Sequence, residues 1–405
     1  MLSLAQGSAL GRNRRAGILV KMSLLKLFKQ LYTLANRHAA PLLAAGLVAV
    51  AARNWQLWQR DKALAAKLLA EPSPLPVLDR TPEVSVLVAA WNEAERIEAH
   101  LRSFLALTYP DLELILCAGG NDDTFERAAR YTCDRIHLLK QYPGEGKQHA
   151  LARCFELAKG EIIYLTDADC LYSDEALLRL LAPLVNAGDA VATGACRPLD
   201  DQLKALLPVY LWASDTVSTV RSPEYVEGLL GRNAAVTRAA LAQAGGLDFV
   251  ARTGTDYQLA RRLLSAGFAI RLVKDSIVPT EYPASLAVYR RKQARWLKNL
   301  LIYGRQYGAK QDLRATQRTV LTGSAMLAMP LASLLFGPGL LVFWCWLVAY
   351  ACLSKTRYLF FTADLYKQKV SSRLLFSLLP LVLVDFAVWS LPGIDLLYRE
   401  RRDQW

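Results

Sequence analysis

The chain has 405 residues, 53% of them hydrophobic, and a formal net charge of +13. The length allows one sizeable domain plus a membrane part, and the apolar fraction lies above the roughly 45–50% usual for soluble domains. The charge excludes a basic nucleic-acid-binding stripe: residues 1–60 hold nine Lys and Arg and no acid, the remainder carries only +4, and the excess flanks apolar segments as anionic headgroups and the positive-inside bias require.

The N-terminal zone, residues 1–76, contains no convincing cleavable signal. Gly17 to Asn36 is interrupted by Lys21, Lys26 and Lys29, while Leu24, Leu25, Leu27, Phe28, Leu31 and Leu34 fall near helical spacing. This predicts a basic amphipathic helix lying on the membrane. Met22 offers an alternative start. Ala39 to Ala52 is apolar for only 14 residues, short of the ~20 a span needs. It is either a thin span extended through Trp55 and Trp58 or a partly buried interfacial helix. Glu71-Pro-Ser-Pro-Leu-Pro76 is a linker, since its prolines forbid a helix.

Residues 77–300 read as an α/β domain. Val84 to Ala90, Leu112 to Cys117, His137 to Leu139 and Glu161 to Thr166 are short apolar runs, as expected of strands buried on both faces. Helical patterns at Asn92–Leu107, Asp123–Tyr131 and Lys147–Lys159 alternate with them. That alternation predicts βαβ units, a parallel sheet and a ligand site at the carboxyl ends of the strands.

Residues 301–405 form a C-terminal membrane zone. Thr319 to Ser354 carries no formal charge and is interrupted by Gly337-Pro-Gly339, predicting a hairpin of two helices of about 17 and 15 residues. Lys355 and Arg357 then return the chain to the basic side. Leu374 to Ile394 is a last apolar segment, broken by Pro380 and Pro392 and carrying Asp385; it spans or lies kinked in the interface, and a span would put Arg399-Glu-Arg-Arg402 on the wrong side. Seven cysteines (117, 133, 154, 170, 196, 345, 352), with no CxxC pair, predict free thiols on a cytosol-facing domain rather than a disulfide framework or zinc site.

Four constellations carry possible chemistry, and the first three have a plainer reading beside them. Asp167-Ala-Asp169 follows the fourth strand; two carboxylates at this spacing suit Mg²⁺ or Mn²⁺ bridging a diphosphate, or are a solvated turn. Asp256 opens a helix, as an N-cap or as a general base. Lys292-Gln-Ala-Arg-Trp296 lies in a basic amphipathic stretch, either a solvated or headgroup-facing helix or a site with Arg295 on a diphosphate and Trp296 beside an acceptor sugar or lipid. Gly144-Glu-Gly-Lys147 precedes a helix and resembles a small phosphate-binding turn, though it is not a Walker A sequence.

In this order and spacing the motifs resemble the family-2 glycosyltransferases with a GT-A fold, a Rossmann-like nucleotide-diphospho-sugar domain, over residues 80–300. Val84 to Glu93 is similar to the family's opening strand and Asn-Glu turn, and Asp167-Ala-Asp-Cys170 to its metal motif. Gly231-Arg-Asn233, Gly245-Gly-Leu-Asp248 and Gly254-Thr-Asp256 resemble its acceptor-side segments, and residues 292–296 the QxxRW box of its membrane-integrated branch, which includes cellulose, hyaluronan and ceramide-glucoside synthases. There are two departures. Cys117-Ala-Gly-Gly120 followed by Asn121-Asp122-Asp123-Thr124 replaces the usual Asp-Asp-Gly-Ser, so Asp122 or Asn121 substitutes for the nucleotide-contacting carboxylate and UDP versus GDP stays open. Lys292 occupies the Gln slot, closer to the ceramide-glucoside type.

The resemblance implies an inverting hexosyltransferase with Mg²⁺ or Mn²⁺, in the cell (inner) membrane, multi-pass, its catalytic domain cytoplasmic. Its partners would be a nucleotide-sugar donor, a lipid or growing glycan acceptor and the membrane, with no nucleic acid. It implies Asp256 as catalytic base; Ala90, Glu93, Asp122, Lys147, Asp167 and Arg295 on the donor; Lys292, Thr255 and Trp296 on the acceptor side; and Asp167 with Asp169 on the metal. Lys292 and the few spans favour one transfer to a lipid-type acceptor. The alternatives are a processive polysaccharide synthase and a non-catalytic membrane scaffold on a transferase fold.

Overall fold

The computed structural model describes residues 30, 33, 36–71, 73–251 and 254–397. The expected amphipathic helix over 17–36 falls almost wholly outside these residues, as does the tail at 399–402.

In chain order the elements are α1 (Ala39–Ala70), β1 (Val84–Trp91), α2 (Ile97–Leu105), β2 (Leu112–Gly119), α3 (Thr124–Ala129), β3 (Ile136–Lys140), α4 (Gly146–Leu157), β4 (Ile162–Asp167), α5 (Asp174–Asn186) and β5 (Val191–Pro198). They continue with α6 (Leu206–Arg221), β6 (Tyr225–Val226), β7 (Ala234–Thr237), α7 (Arg238–Gln243), α8 (Thr255–Ser265), β8 (Ile270–Thr280), α9 (Leu286–Gln306), α10 (Lys310–Phe336), α11 (Pro338–Tyr366), α12 (Ser372–Phe376) and α13 (Leu378–Leu397).

One eight-stranded sheet runs β3-β2-β1-β4-β7-β5-β8-β6. The first four strands are parallel, whereas β7 is antiparallel to both β4 and β5. The four apolar runs of the sequence are these four parallel strands; β1, β2 and β4 are buried on both faces, which is why their runs do not alternate, while the edge strand β3 is half-buried. Val84, Val86, Val88 and Ala90 pack with Ile97, Leu101 and Phe104 of α2 and Leu177, Leu180 and Leu184 of α5. Leu87, Ile115 and Ile163 point the other way, onto Leu151 and Cys154 of α4 and Leu259 and Leu263 of α8. Each such side chain contributes about 1.5–3 kcal/mol, and a charge at Leu87, fully buried, would be enough to break the layer. Register aligns Ala89 with both Cys117 and Asp167, so β1, β2 and β4 deliver their carboxyl ends to one place.

The segment expected to form the C-terminal membrane zone departs from expectation. The hairpin helices are 27 and 29 residues long rather than about 17 and 15. The turn between them is Gly337 at φ 107°, in a region closed to side chains. Lys355 and Arg357 lie inside α11 instead of marking its exit, because each has a buried partner: Lys355 Nζ is 3.3 Å from Asp385, and Arg357 Nη1 is 2.6 Å from Asp61. Nor do the prolines break the last helix. Pro380 sits in the first turn of α13, where its missing N–H costs nothing, and α13 continues through Pro392. Among the described residues, two helices, α10 and α11, are long and apolar enough to cross a membrane. The N-terminal apolar stretch is part of one 32-residue helix, α1, which does not meet that criterion but packs along α11 with Asn54 and Asp61 buried.

Candidate active site at the carboxyl ends of the strands

Asp167 is the last residue of β4, so the strand itself aims its carboxylate past the sheet edge. Two residues on, Asp169 turns back and accepts a hydrogen bond from Thr280 Oγ1 at 3.1 Å, at the end of β8. Lys147, in the first turn of α4, donates to Asp167 Oδ1. Burial works to lower the Lys147 pKa, but Asp167, Asp256 and Asp169 outweigh it and hold the ammonium charged. Gly144-Glu-Gly-Lys147 thus places a cation on the acidic pair. Asp169 is pushed up, first by burial and then by Asp167, the signature of two carboxylates crowded together with too little positive charge.

Glu93 joins the cluster from the β1 loop. Burial, followed by Asp169, Glu281 and Asp167, raises it to about 7. Its loop is woven to the next by side chains. Asn92, at φ 59°, accepts from Asn121 N at 2.7 Å. Asp122 Oδ1 accepts from Thr124 Oγ1 at 2.6 Å, and its Oδ2 from Ala94 N at 3.2 Å. Asp122 thus holds the β1 and β2 loops together, directly through Oδ2 and indirectly through Thr124 Oγ1, which accepts from Glu93 N at 2.7 Å. Ala90, expected on the donor, is fully buried and its side chain belongs to the core beneath the site.

Asp256 is not the N-cap of its helix. Gly254 holds that position in the left-handed region, Thr255 is the first helical residue, and Asp256 follows with Oδ1 accepting from Tyr257 N at 2.9 Å. Two close approaches fix it. A β-carbon on Gly231 would lie 3.0 Å from that of Asp256, and one on Gly254 would lie 3.0 Å from the Asn299 carboxamide of α9. The helix carrying Lys292-Gln-Ala-Arg-Trp296 is packed against the start of α8 in this way.

Within that helix Lys292 and Arg295 sit in different surroundings. Lys292 interacts electrostatically with Asp167, Asp169 and Glu93. Arg295, expected on a diphosphate, is exposed and makes no ion pair or hydrogen bond among the described residues, and Trp296 is 54% exposed.

Sequence reasoning missed Arg232. It lies in Gly231-Arg-Asn233, and its charge acts on both Asp167 and Asp169. Asn233 is fully buried, accepting from Tyr164 OH at 3.0 Å and donating to Ala195 O and Ser276 O, while Thr166 Oγ1 donates to Arg232 O at 2.9 Å. Asn233 thus bolts the segment into the sheet and Arg232 is presented beside β4. Asp215 of α6, which accepts from Tyr282 OH at 2.9 Å, was missed too. A basic residue between a glycine and an amide was the available signal for the first; nothing in the α6 pattern distinguished the second.

The cluster thus gathers Asp167, Asp169, Asp256 and Glu93 with Lys147, Arg232 and Lys292. Among the described residues no group of three or more His, Cys, Asp or Glu forms a ready-made metal cage. Two hard carboxylates with crowded charge fit a divalent cation that takes its other oxygens from a ligand.

A family model described as "Glycosyltransferase like family 2" matches residues 82–299. The chain is 26% identical over 244 residues to a probable glycosyltransferase of Bacillus subtilis (strain 168), covering 56% of each. It is 28% identical over 121 residues to a hyaluronan synthase of Streptococcus pyogenes, covering 28% of this chain and 29% of that one. The chain spans about half the length, or less, of these curated relatives. Its fold is similar to that of mannosyltransferase PcManGT from Pyrobaculum calidifontis in complex with GDP-Man and Mn²⁺, with a TM-score of 0.50 at 20% identity, over 88% of this chain and 99% of that one.

Proposed function

The chain belongs to the glycosyltransferase-like family 2, a family of enzymes with the GT-A type of α/β sheet, and we propose that it carries out inverting transfer of a sugar from a nucleotide-diphosphate donor, such as a UDP-sugar, to a lipid or lipid-linked acceptor at a membrane. The observation that carries this reading is the meeting of Asp256 with Asp167 and Asp169 around Lys147. Residues 77–300 would be the transferase domain, residues 1–76 its N-terminal membrane attachment and residues 301–405 its C-terminal one, with the sheet facing the cytoplasm.

Asp167 and Asp169 would hold Mg²⁺ or Mn²⁺, which when bound neutralises charge on the leaving diphosphate. The chain's own residues do the rest. Lys147, Arg232 and Lys292 place fixed positive charge where the diphosphate carries its negative charge, and they do so without reorganising. Asp256, anchored at the start of α8, takes the proton of the acceptor hydroxyl as that oxygen attacks the anomeric carbon from the face opposite the diphosphate. Asp122 and Asn92 keep the β1 and β2 loops in register beneath the nucleotide, and Glu93 lies beside the acidic pair. Thr255 and Trp296 would border the acceptor path.

Among the described residues two helices are long and apolar enough to cross a membrane, and so few would favour a single transfer over a processive synthase, which needs a polar channel across the bilayer. The test is a panel of nucleotide sugars with purified chain and mixed membrane lipid, products read by mass. One added sugar per lipid is expected; long polymer overturns the acceptor assignment. Asp256→Asn should lower turnover at least ~10²-fold while donor binding persists, and a chelator should stop transfer. Full turnover in the variant would remove Asp256 from the base role.

A further inference from the structure

A second charged cleft, remote in chemistry from the acidic cluster, opens between α1, α6 and α11. It encloses about 410 Å³ and is lined by Arg53, Arg60, Arg221 and Arg357 with one acid, Asp61. The net lining charge is +3. Asp61 is buried and already spoken for, accepting from Arg357 Nη1 at 2.6 Å and from Arg221. The guanidiniums of Arg221 and Arg357 also lie over the ring of Tyr358, at 5.7 and 5.2 Å, so these two are held in fixed positions. Arg53 and Arg60 are exposed. Arg53 has only a 3.4 Å bond to Gln56, and Arg60 has no partner among the described residues. Two oriented arginines and two exposed ones around a cavity form a site for a multiply charged oxyanion, since guanidinium forks bind phosphate oxygens in pairs. The volume is that of a small-ligand pocket, roughly 300–1,000 Å³.

The position of the cleft says where that phosphate comes from. Helices α1 and α11 run side by side in the same direction. Asn36 Oδ1 accepts from Gly339 N at 2.6 Å, Trp346 Nε1 donates to Leu43 O at 3.1 Å, and Ser354 Oγ donates to Asn54 Oδ1 at 3.4 Å. The uncharged stretches 39–52 and 338–354 are therefore level, and both end at the cleft. Resting on the reading of α11 as a membrane span, we propose that this cleft binds the phosphate headgroup of an anionic lipid at the bilayer surface, at a site separate from the donor cluster. The apolar ends of the two helices would then line the acyl chains while the arginines take the headgroup.

The experiment uses the full chain in detergent, with binding of dioleoyl phosphatidic acid, dioleoyl phosphatidylcholine and inorganic phosphate each measured by native mass spectrometry. Wild type should hold phosphatidic acid at least about tenfold more tightly than phosphatidylcholine. The Arg53→Ala/Arg60→Ala double variant should lose that preference while hydrolysing nucleotide sugar as wild type does, which reports an intact fold. Equal retention of phosphatidic acid by variant and wild type overturns the site. Inorganic phosphate displacing the lipid at equal concentration, in an Arg53- and Arg60-dependent manner, overturns the lipid as occupant. Alkaline carbonate extraction separates the two failures: release of the chain refutes the membrane span, whereas a chain that stays with the membrane but shows no arginine dependence refutes only this cleft.

Discussion

Gly231 stands directly behind Asp256: a β-carbon at position 231 would lie 3.0 Å from the β-carbon of the aspartate. The approach leaves no room for a side chain, so Gly231→Ala must displace Asp256 by a few tenths of an ångström. In steady-state kinetics we expect kcat to fall about tenfold, with donor KM nearly unchanged, because a base out of line affects the step and not the binding. A change confined to donor KM would place Gly231 with the donor instead.

Lys292 and Arg295 are one helical turn apart, and only Lys292 acts on Asp167, Asp169 and Glu93. Lys292→Ala should therefore reduce kcat/KM for the donor more than Arg295→Ala does, by about tenfold or more. Equal losses, or the reverse order, would restore Arg295 to the diphosphate.

His100 is fully buried between Cys170 O, 2.7 Å from Nδ1, and Tyr172 OH, 3.0 Å from Nε2. This pairing suits the neutral ring, and burial lowers its pKa from 6.5 to about 4. The folded state thus resists a proton that the unfolded chain accepts. The stability from this group is complete above pH 6.5 and declines as pH falls towards 4, by up to about 3 kcal/mol. Denaturant midpoints measured from pH 7 to 4 should show the slope, and His100→Gln should reduce it.

Asp61 compensates Arg357, which is only 3% exposed. Removing the acid alone, as in Asp61→Ala, should destabilise the helix assembly by about 3–5 kcal/mol, whereas replacing both residues, as in Asp61→Leu/Arg357→Met, should cost far less. Thermal unfolding in detergent distinguishes them. Equal loss in both variants would show that the pair's packing, not its charge, holds the helices.

The parallel strands and their convergence on Asp167 were legible because burial on both faces leaves an unbroken apolar run, and strand ends mark where ligands collect. The helix lengths of the membrane zone were not. A sequence reader takes Lys355 and Arg357 as exits from a bilayer, yet their partners Asp385 and Asp61 are distant in the chain, Asp61 by 296 residues, and local pattern carries no trace of such pairing. Arg232 was overlooked for a similar reason. Its reach to the acidic pair is created by Asn233, whose bonds to β4, β5 and the Ser276 backbone exist only once the sheet has formed. Ala90 packs its side chain into the core because adjacent strand residues face opposite ways.

The shared direction of α1 and α11 also fixes sidedness. Asn36 meets the Gly337 turn at one end of the helix assembly, and Asp61 meets Arg357 at the other. If α10 and α11 cross a bilayer, the turn at Gly337 is on the face opposite the sheet, and Asn36 shares that face. A cysteine placed at position 36 would then react with an impermeant thiol reagent from one side of the membrane, and one placed at exposed Glu95 of the transferase domain from the other. The enzyme would thread its own bilayer an odd number of times between Asn36 and Lys367.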